Sequence, residues 1–194
     1  MAKRQIIILA SASPRRNSLL RQFGVPFKTV PADVDERVRA GETPEQYARR
    51  LSLDKARAAS DKAGKGIVIA ADTIVVLDDE ILGKPSDERD ALRMLSMLSG
   101  KTHRVITALT VMDNAAGKTL TRLSQTTVRF RRLSAEEIMS YVKTGEPLDK
   151  AGAYGIQEKG ALLVSGIEGC YFNVVGLPIS LLGEMLKEFG VNML

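Results

Sequence analysis

Of the chain's 194 residues, one is cysteine, one is histidine and none is tryptophan, and each scarcity removes a class of protein. A single Cys170 cannot close an internal disulfide and suits a reducing compartment. A single His103 leaves no His/Cys cluster of the structural zinc kind, so any metal would be a hard cation held by oxygen ligands. Aromatic residues make up only 5%, too few for the stacking platforms of a single-strand nucleic-acid binder. The longest apolar run, Ile6 to Ala10, is far too short to span a bilayer, and no cleavable signal pattern follows the N-terminus. Neither a secreted nor an integral membrane protein is expected.

What the chain has is an ordinary globular mixture, 44% hydrophobic and 26% charged. Its net charge of +5 and isoelectric point near 9.4 suit an anionic partner but do not choose among nucleic acid, nucleotide and simple solubility. No recognisable reading helix accompanies that charge, so a nucleic-acid partner is not expected. The length suits one domain, or two small lobes around a cleft. No linker, repeat or low-complexity block divides it, so residues 1–194 read as a single domain.

Short β-branched runs alternate with capped amphipathic segments. Gln5–Ala10 reads as a buried strand, followed by a helix with Ser13 as N-cap and Pro14 in its first turn. Thr43-Pro44-Glu45-Gln46 is a capping box opening a helix to Ala63. Ile67–Leu77 is a long strand pattern interrupted by Asp72 and Thr73, with Asp78-Asp79 turning into Glu80-Ile81-Leu82. Ser86 is expected to cap a third helix that Gly100 ends. His103–Met112 and Leu120–Phe130 read as strands joined around Asn114–Gly117. Ser134-Ala135-Glu136-Glu137 is a second capping box, the glycine-rich tract from Gly152 to Gly169 carries one or two short strands, and Pro178 starts a terminal helix. The order lacks a strict βαβ repeat, so the expected fold is α/β with a mixed, partly antiparallel sheet flanked by helices.

Three groups of residues carry possible chemistry. Ser11-Ala12-Ser13-Pro14-Arg15-Arg16 joins a strand to a helix N-terminus, where backbone N–H groups, hydroxyls and guanidinium forks suit phosphate oxygens, or simply form a capped helix with solvated arginines. No Walker-type glycine-lysine loop is present. Asp72 breaks a run of apolar residues where an unpaired carboxylate is costly, so it faces either a polar cleft or an edge or bulge of the sheet. In a cleft it could bind a divalent cation or activate water. Asp33, Asp35 and Glu36 form a second acidic group, and Lys55 and Lys84 are possible phosphate counter-charges, though each alone also reads as surface. His103 is assigned no role, and Arg129-Phe130-Arg131-Arg132 reads as a solvated strand end.

These stretches together resemble the Maf family of nucleoside triphosphate pyrophosphatases from Ile6 to Leu186. The resemblance is carried by Leu9-Ala10-Ser11-Ala12-Ser13-Pro14-Arg15-Arg16, Val34-Asp35-Glu36, Ala71-Asp72-Thr73 and Leu82-Gly83-Lys84-Pro85. Further along it continues in Leu98-Ser99-Gly100, Asp149-Lys150-Ala151-Gly152-Ala153-Tyr154-Gly155-Ile156-Gln157 and Asn173-Val174-Val175-Gly176-Leu177-Pro178. It implies a cytoplasmic, often homodimeric enzyme that cleaves between the α- and β-phosphates with Mg²⁺ or Mn²⁺. It also implies a fold similar to inosine triphosphate pyrophosphatase, with two lobes around a cleft. By that resemblance Asp72 is the base, Ser11, Ser13, Arg15 and Arg16 bind phosphate, and Glu36, Lys55 and Lys84 support catalysis. Asp72 and Glu36 are the implied metal ligands.

Arg15, Thr73 and Gln157 match the branch that prefers dTTP and UTP. A related branch acting on 7-methyl-GTP has Trp, Gln and Glu in their places. Gln157 can pair with the carbonyl and N–H edge of uracil or thymine, whereas neither Arg15 nor Gln157 offers the stacking ring or carboxylate suited to a cationic purine. Selection of dTTP over UTP should be weak, because a methyl group is the only difference in the base. The family's association with septum formation and division arrest leaves a non-catalytic nucleotide-binding regulator as the alternative. One departure stands out: Cys170 occupies a place where many members carry Asp.

Overall fold

The computed structural model describes residues 5–194. In chain order the elements are β1 (Ile7–Leu9), α1 (Pro14–Gln22), β2 (Phe27–Thr29), α2 (Pro44–Ala63), β3 (Ile67–Leu77), β4 (Glu80–Leu82) and α3 (Glu88–Leu98). There follow β5 (Thr102–Asp113), β6 (Lys118–Phe130), α4 (Ala135–Val142), β7 (Val164–Glu168), α5 (Tyr171–Val175) and α6 (Ile179–Lys187). Three short 3-10 turns, Glu146–Asp149, Ala151–Ala153 and Glu158–Leu163, lie between α4 and β7. The strands form one seven-stranded sheet in the order β2-β1-β3-β5-β6-β7, with β4 paired to β3. It is mixed: β1 runs parallel to β2 and β3, while β3–β4 and β6–β7 are antiparallel.

Contacts divide the chain into two compact units. The first comprises the chain up to Asp72, Thr107–Ser124 and Gly176–Leu194; the second comprises Thr73–Ile106 and Gln125–Val175. The boundary falls inside β3, between Asp72 and Thr73.

In the first unit, the core that positions chemistry is made of small residues. Ile8 and Ala10, together with Val68 and Ala70, pack with Ala56 and Ala59 of α2. Alternation along a strand puts every second residue on one face, so Val68, Ala70 and Asp72 share the face that α2 covers. Alanines on both sides let the helix approach the sheet closely. The α2 start is fixed as the sequence expects: Thr43 Oγ1 accepts from the Gln46 N–H at 3.2 Å, and Gln46 Oε1 accepts from the Thr43 N–H at 3.0 Å.

The second unit has the larger aliphatic core. Val75, Leu77, Leu95, Leu98, Val128, Phe130 and Ile138 are among the buried residues that assemble there, each full burial of such a side chain contributing about 2 kcal/mol before entropy is charged. The Asp78-Asp79 turn takes left-handed φ at both residues, +48° and +66°, the two-residue hairpin geometry that Asp tolerates better than bulky residues. One local expectation shifts. Asp87 rather than Ser86 caps α3, its carboxylate accepting from the Asp90 N–H, while the Ser86 N–H donates to Asp90. The tract from Gly152 to Gly169 carries one short strand, β7, within what the sequence expects, preceded by 3-10 turns.

Gly160 is held there by space alone. A Cβ on it would lie 2.0 Å from the Gly155 carbonyl oxygen and 2.7 Å from Tyr141 Oη. The same two elements are stitched by polar bonds: the Gly155 N–H donates to Tyr141 Oη, and Tyr141 Oη and the Gly160 N–H both donate to Glu146 Oε1. The segment between Gly155 and Gly160, with Gln157 in it, is therefore clamped at both ends.

His103 sits 2% exposed in an aromatic group with Phe130 and Tyr154, its Nε2 2.7 Å from Tyr154 Oη and its Nδ1 buried without a partner. Burial lowers its pKa to about 4 and raises that of Tyr154. The folded chain thus refuses a proton that the unfolded chain takes near pH 6.5, so stability falls as pH drops from about 6.5 toward 4. We expect urea unfolding to show a loss of about 2 kcal/mol between pH 7.5 and pH 5. His103→Gln should flatten most of that slope, because no other imidazole exists in the chain.

Candidate active site

Helix α2 is buried along residues 47, 48, 51, 52, 56, 59 and 60, a row at i, i+3 and i+4 spacing. Lys55 falls within that row, four residues before Ala59 and three after Ser52, so its ammonium is carried toward the sheet rather than into solvent. It meets Asp72 there: Lys55 Nζ donates to Asp72 Oδ1 at 2.6 Å. Asp72 is only 6% exposed. A carboxylate so placed costs several kcal/mol unless paired, and Lys55 supplies the pairing. A second carboxylate, Glu36, arrives from the loop between β2 and α2, with its Oε1 2.7 Å from the same Nζ. One ammonium therefore bridges two carboxylates. Glu36 is about half exposed, so its pairing is the weaker one.

The β1–α1 junction lies in the same unit. Ser11 is buried, and its Oγ accepts from the Ser13 N–H at 3.1 Å and from Arg16 Nη1 at 3.4 Å. Arg16 Nε donates to the Gly176 carbonyl at 2.8 Å, which anchors the guanidinium. Burial lowers the Arg16 pKa, the Asp72 carboxylate opposes that, and the neighbouring Arg15 charge adds to it. Glu36 also acts on it, so Arg16 shares the field of both carboxylates. The Ser13 hydroxyl makes no cap bond to α1, unlike the expectation of a side-chain N-cap. Instead Asn17 Nδ2 donates to the Ser13 carbonyl at 2.9 Å, and Thr29 Oγ1 on β2 donates to Asn17 Oδ1 at 2.9 Å. The junction is thus held from behind by α1 and β2.

Not every expected residue joins this cluster. Asp33 and Asp35 are exposed, and Asp35 is turned to Arg37, whose guanidinium fork lowers its pKa to about 2. Of the acidic group Asp33, Asp35 and Glu36, only Glu36 reaches Lys55, because the Asp35 carboxylate is satisfied locally in solvent. Arg15 is half-buried on α1. Thr73, Lys84 and Gln157 belong to the second unit. Thr73 is half-buried in β3 next to Asp72, and Lys84 is exposed. Gln157 is half-buried at the start of the 3-10 turn Glu158–Leu163, and its amide does not cap that turn.

Cys170 precedes α5, where its carbonyl accepts from the Asn173 N–H at 3.1 Å and its own N–H donates to Thr126 Oγ1 at 3.0 Å. Asn173 is buried and donates from Nδ2 to the Val105 carbonyl and to Thr126 Oγ1. Position 170 is thus a helix start, a place where an Asp would act as a cap and a thiol does so poorly.

As to metal, no group of three or more His, Cys, Asp or Glu residues is gathered among the described residues. Two carboxylates do converge on Lys55, and Mg²⁺ is commonly bound by one or two carboxylates with substrate phosphates and waters completing the shell. The donor set fits an ion shared with a phosphate ligand, not a resident cage.

The chain is thus an α/β protein with a mixed sheet, whose first unit carries a lysine-bridged carboxylate pair and a strand–helix junction of serines and arginines. The family model described as "Maf-like protein" matches residues 6–189. A dTTP/UTP pyrophosphatase of Syntrophomonas wolfei subsp. wolfei is 50% identical over 186 residues, spanning 96% of this chain and 98% of that one. One from Koribacter versatilis is 52% identical over 185 residues, 95% of each chain. The chain belongs to the Maf-like protein family. Among solved structures, a HAM1 protein from Coxiella burnetii superimposes with a TM-score of 0.56 at 15% identity, over 95% of this chain and 99% of that one. That likeness bears on the fold, which is the mixed α/β fold expected.

Among the described residues no helix is long and apolar enough to cross a membrane.

Removing Lys55 leaves the Asp72 carboxylate buried without its ammonium. We expect Lys55→Met to cost about 3 kcal/mol in urea unfolding at pH 7. Adding Asp72→Asn should recover most of that loss. Two independent, additive losses would show that the ion pair is not what the site's stability rests on.

Proposed function

We propose that the chain hydrolyses nucleoside triphosphates, dTTP and UTP foremost, to the nucleoside monophosphate and pyrophosphate. The observation that carries this reading is Asp72: an isolated carboxylate in an apolar strand, held by Lys55 and within the field of Arg16. The Maf-like family membership and the names of the relatives supply the substrate class.

In this reading Lys55 holds Oδ1 of Asp72 and leaves the other oxygen to orient a water and take its proton. The water oxygen bonds to the α-phosphorus as the bond from that phosphorus to the bridging oxygen breaks, and pyrophosphate departs. Ser11, Ser13, Arg15 and Arg16 offset the charge on the phosphates, with Arg16 preset by the Gly176 carbonyl. Asp72 and Glu36 would hold Mg²⁺ or Mn²⁺. Such an ion, when bound, neutralises phosphate charge and polarises the phosphoryl oxygens. Gln157, clamped between Gly155 and Gly160, would read the pyrimidine edge.

The single cysteine suits the cytoplasm, and the resemblance to Maf proteins supports a homodimer that clears dTTP, UTP and modified pyrimidine triphosphates or acts in division arrest.

Pyrophosphate release should be measured from dTTP, UTP, CTP, 7-methyl-GTP and ITP with Mg²⁺ or Mn²⁺. Preferential cleavage of dTTP and UTP, with less than about tenfold between them, is expected. Activity confined to 7-methyl-GTP or ITP would overturn the roles given to Arg15, Thr73 and Gln157. Thermal stabilisation by dTTP without pyrophosphate release would replace the enzyme with a nucleotide-binding regulator.

Asp72→Asn keeps the side chain's size and removes its basicity. It should lower kcat at least about 100-fold while the chain stays folded. Near-wild-type turnover in that variant would sink the assignment of the base.

A further inference from the structure

Glu36 poses a physical problem. It sits in the stretch from Val30 to Glu42, which contains no helix or strand, yet its carboxylate is found on Lys55 Nζ at 2.7 Å. An ion pair this exposed contributes at most about 1 kcal/mol, while ordering loop backbone costs about 1–2 kcal/mol for each residue. The pair cannot by itself hold the loop in place.

The loop is held through its backbone instead. Tyr47 Oη donates to the Glu36 carbonyl at 2.7 Å, and Arg50 Nη2 donates to the carbonyl of the next residue, Arg37, at 3.0 Å. Arg50 is itself fixed by a two-pronged pairing with Glu42, Nε to Oε1 at 2.6 Å and Nη2 to Oε2 at 2.8 Å, with both side chains largely buried. Glu42 Oε2 also accepts from the Arg39 N–H at 3.1 Å. The Arg50 guanidinium lies 5.4 Å from the centre of the Tyr47 ring, which stiffens both. The forked bond from Arg50 lowers the Glu42 pKa to about 2, and burial together with the Asp72 and Glu36 charges raises that of Tyr47 to about 12. Tyr47 and Arg50 lie in the first half of α2, and Glu42 immediately precedes its capping residue, Thr43. Lys55 follows Tyr47 by two turns of the same helix, so one rigid element supplies both the tether and the cation that Glu36 must reach.

We propose that Tyr47, Arg50 and Glu42 form a clasp that positions Glu36, so that they act on the reaction through Glu36 without touching the substrate. The proposal rests on the reading that Glu36 serves pyrophosphate release.

Its test is a double-mutant cycle on pyrophosphate release from dTTP, comparing the wild type, Tyr47→Phe, Glu36→Gln and the double variant. Tyr47→Phe keeps the ring over Arg50 and removes only the donor. It should lower kcat about tenfold with KM changed less than twofold. In the Glu36→Gln background the same change should lower kcat less than twofold. Arg50→Lys, which loses the fork but keeps the charge, should follow the same pattern and serves if Tyr47→Phe does not fold. Amide exchange of residues 32–41 should quicken in Tyr47→Phe while α2 keeps its protection. An undiminished effect in the Glu36→Gln background, or none in the wild type, would overturn the clasp while leaving the role of Glu36 intact. Full turnover in Glu36→Gln alone would instead overturn that role, and the clasp with it.

Discussion

The first unit is organised around one ion pair, Lys55 with Asp72, formed where α2 lies on the sheet. Neither charge would survive there alone. Asp72 occupies the face of β3 that Val68 and Ala70 give to the helix, and Lys55 occupies the helix row that Ser52 and Ala59 give to the sheet. The close approach allowed by Ala56, Ala59, Ala10 and Ala70 brings the two stems together, and each charge makes the other's burial tolerable. Such a pair gives little net stability compared with apolar residues of the same shape. What it does give is a carboxylate at a defined position, already desolvated on one side.

Around that pair the structure adds support in layers. Glu36 uses the same ammonium, Arg16 contributes a guanidinium fixed by the Gly176 carbonyl, and Ser11 ties Arg16 to the end of β1. Behind them, Asn17 and Thr29 brace the junction, while Tyr47 and Arg50 brace the Glu36 loop. The bracing bonds end largely on backbone carbonyls. A side chain that holds a carbonyl fixes the path of the chain and leaves the neighbouring side chain's charge available. This is the economical way to preorganise a charged site.

The second unit meets a different demand. Its aliphatic core is larger, and the segment carrying Gln157 is fixed at Gly155 and Gly160 by Tyr141 and Glu146. Gln157 is left with an amide that no cap consumes, in a segment whose backbone has little freedom. The neutral, buried His103 explains why the chain's only imidazole takes no part in the proposed chemistry: it is enclosed by Phe130 and Tyr154.

Much of this was legible from residue order. Both capping boxes placed their helices, the Asp78-Asp79 turn placed a hairpin, and a carboxylate inside an apolar run marked Asp72, because these signals are local or rest on the cost of burying charge. Ser13 and Ser86 were less legible, since several neighbouring polar groups compete for the same helix-start bonds and sequence does not rank them. Lys55 taken alone read as surface; its place in the buried row of α2 was a usable signal, but only β3 determines that the row ends on a carboxylate. Tyr47, Arg50 and Asn17 escaped notice as site residues because they donate to main-chain carbonyls, which every residue possesses and no side-chain pattern reveals, and Glu42 because its guanidinium partner, Arg50, lies eight residues further on. The sequence by itself determined most of the helices and strands, the candidacy of Asp72 and the family resemblance, all of which depend on near neighbours or on residue chemistry. Only the tertiary structure decided that Glu36, and not Asp35, shares Lys55 with Asp72, because that choice depends on how a loop without regular structure is tied to a helix.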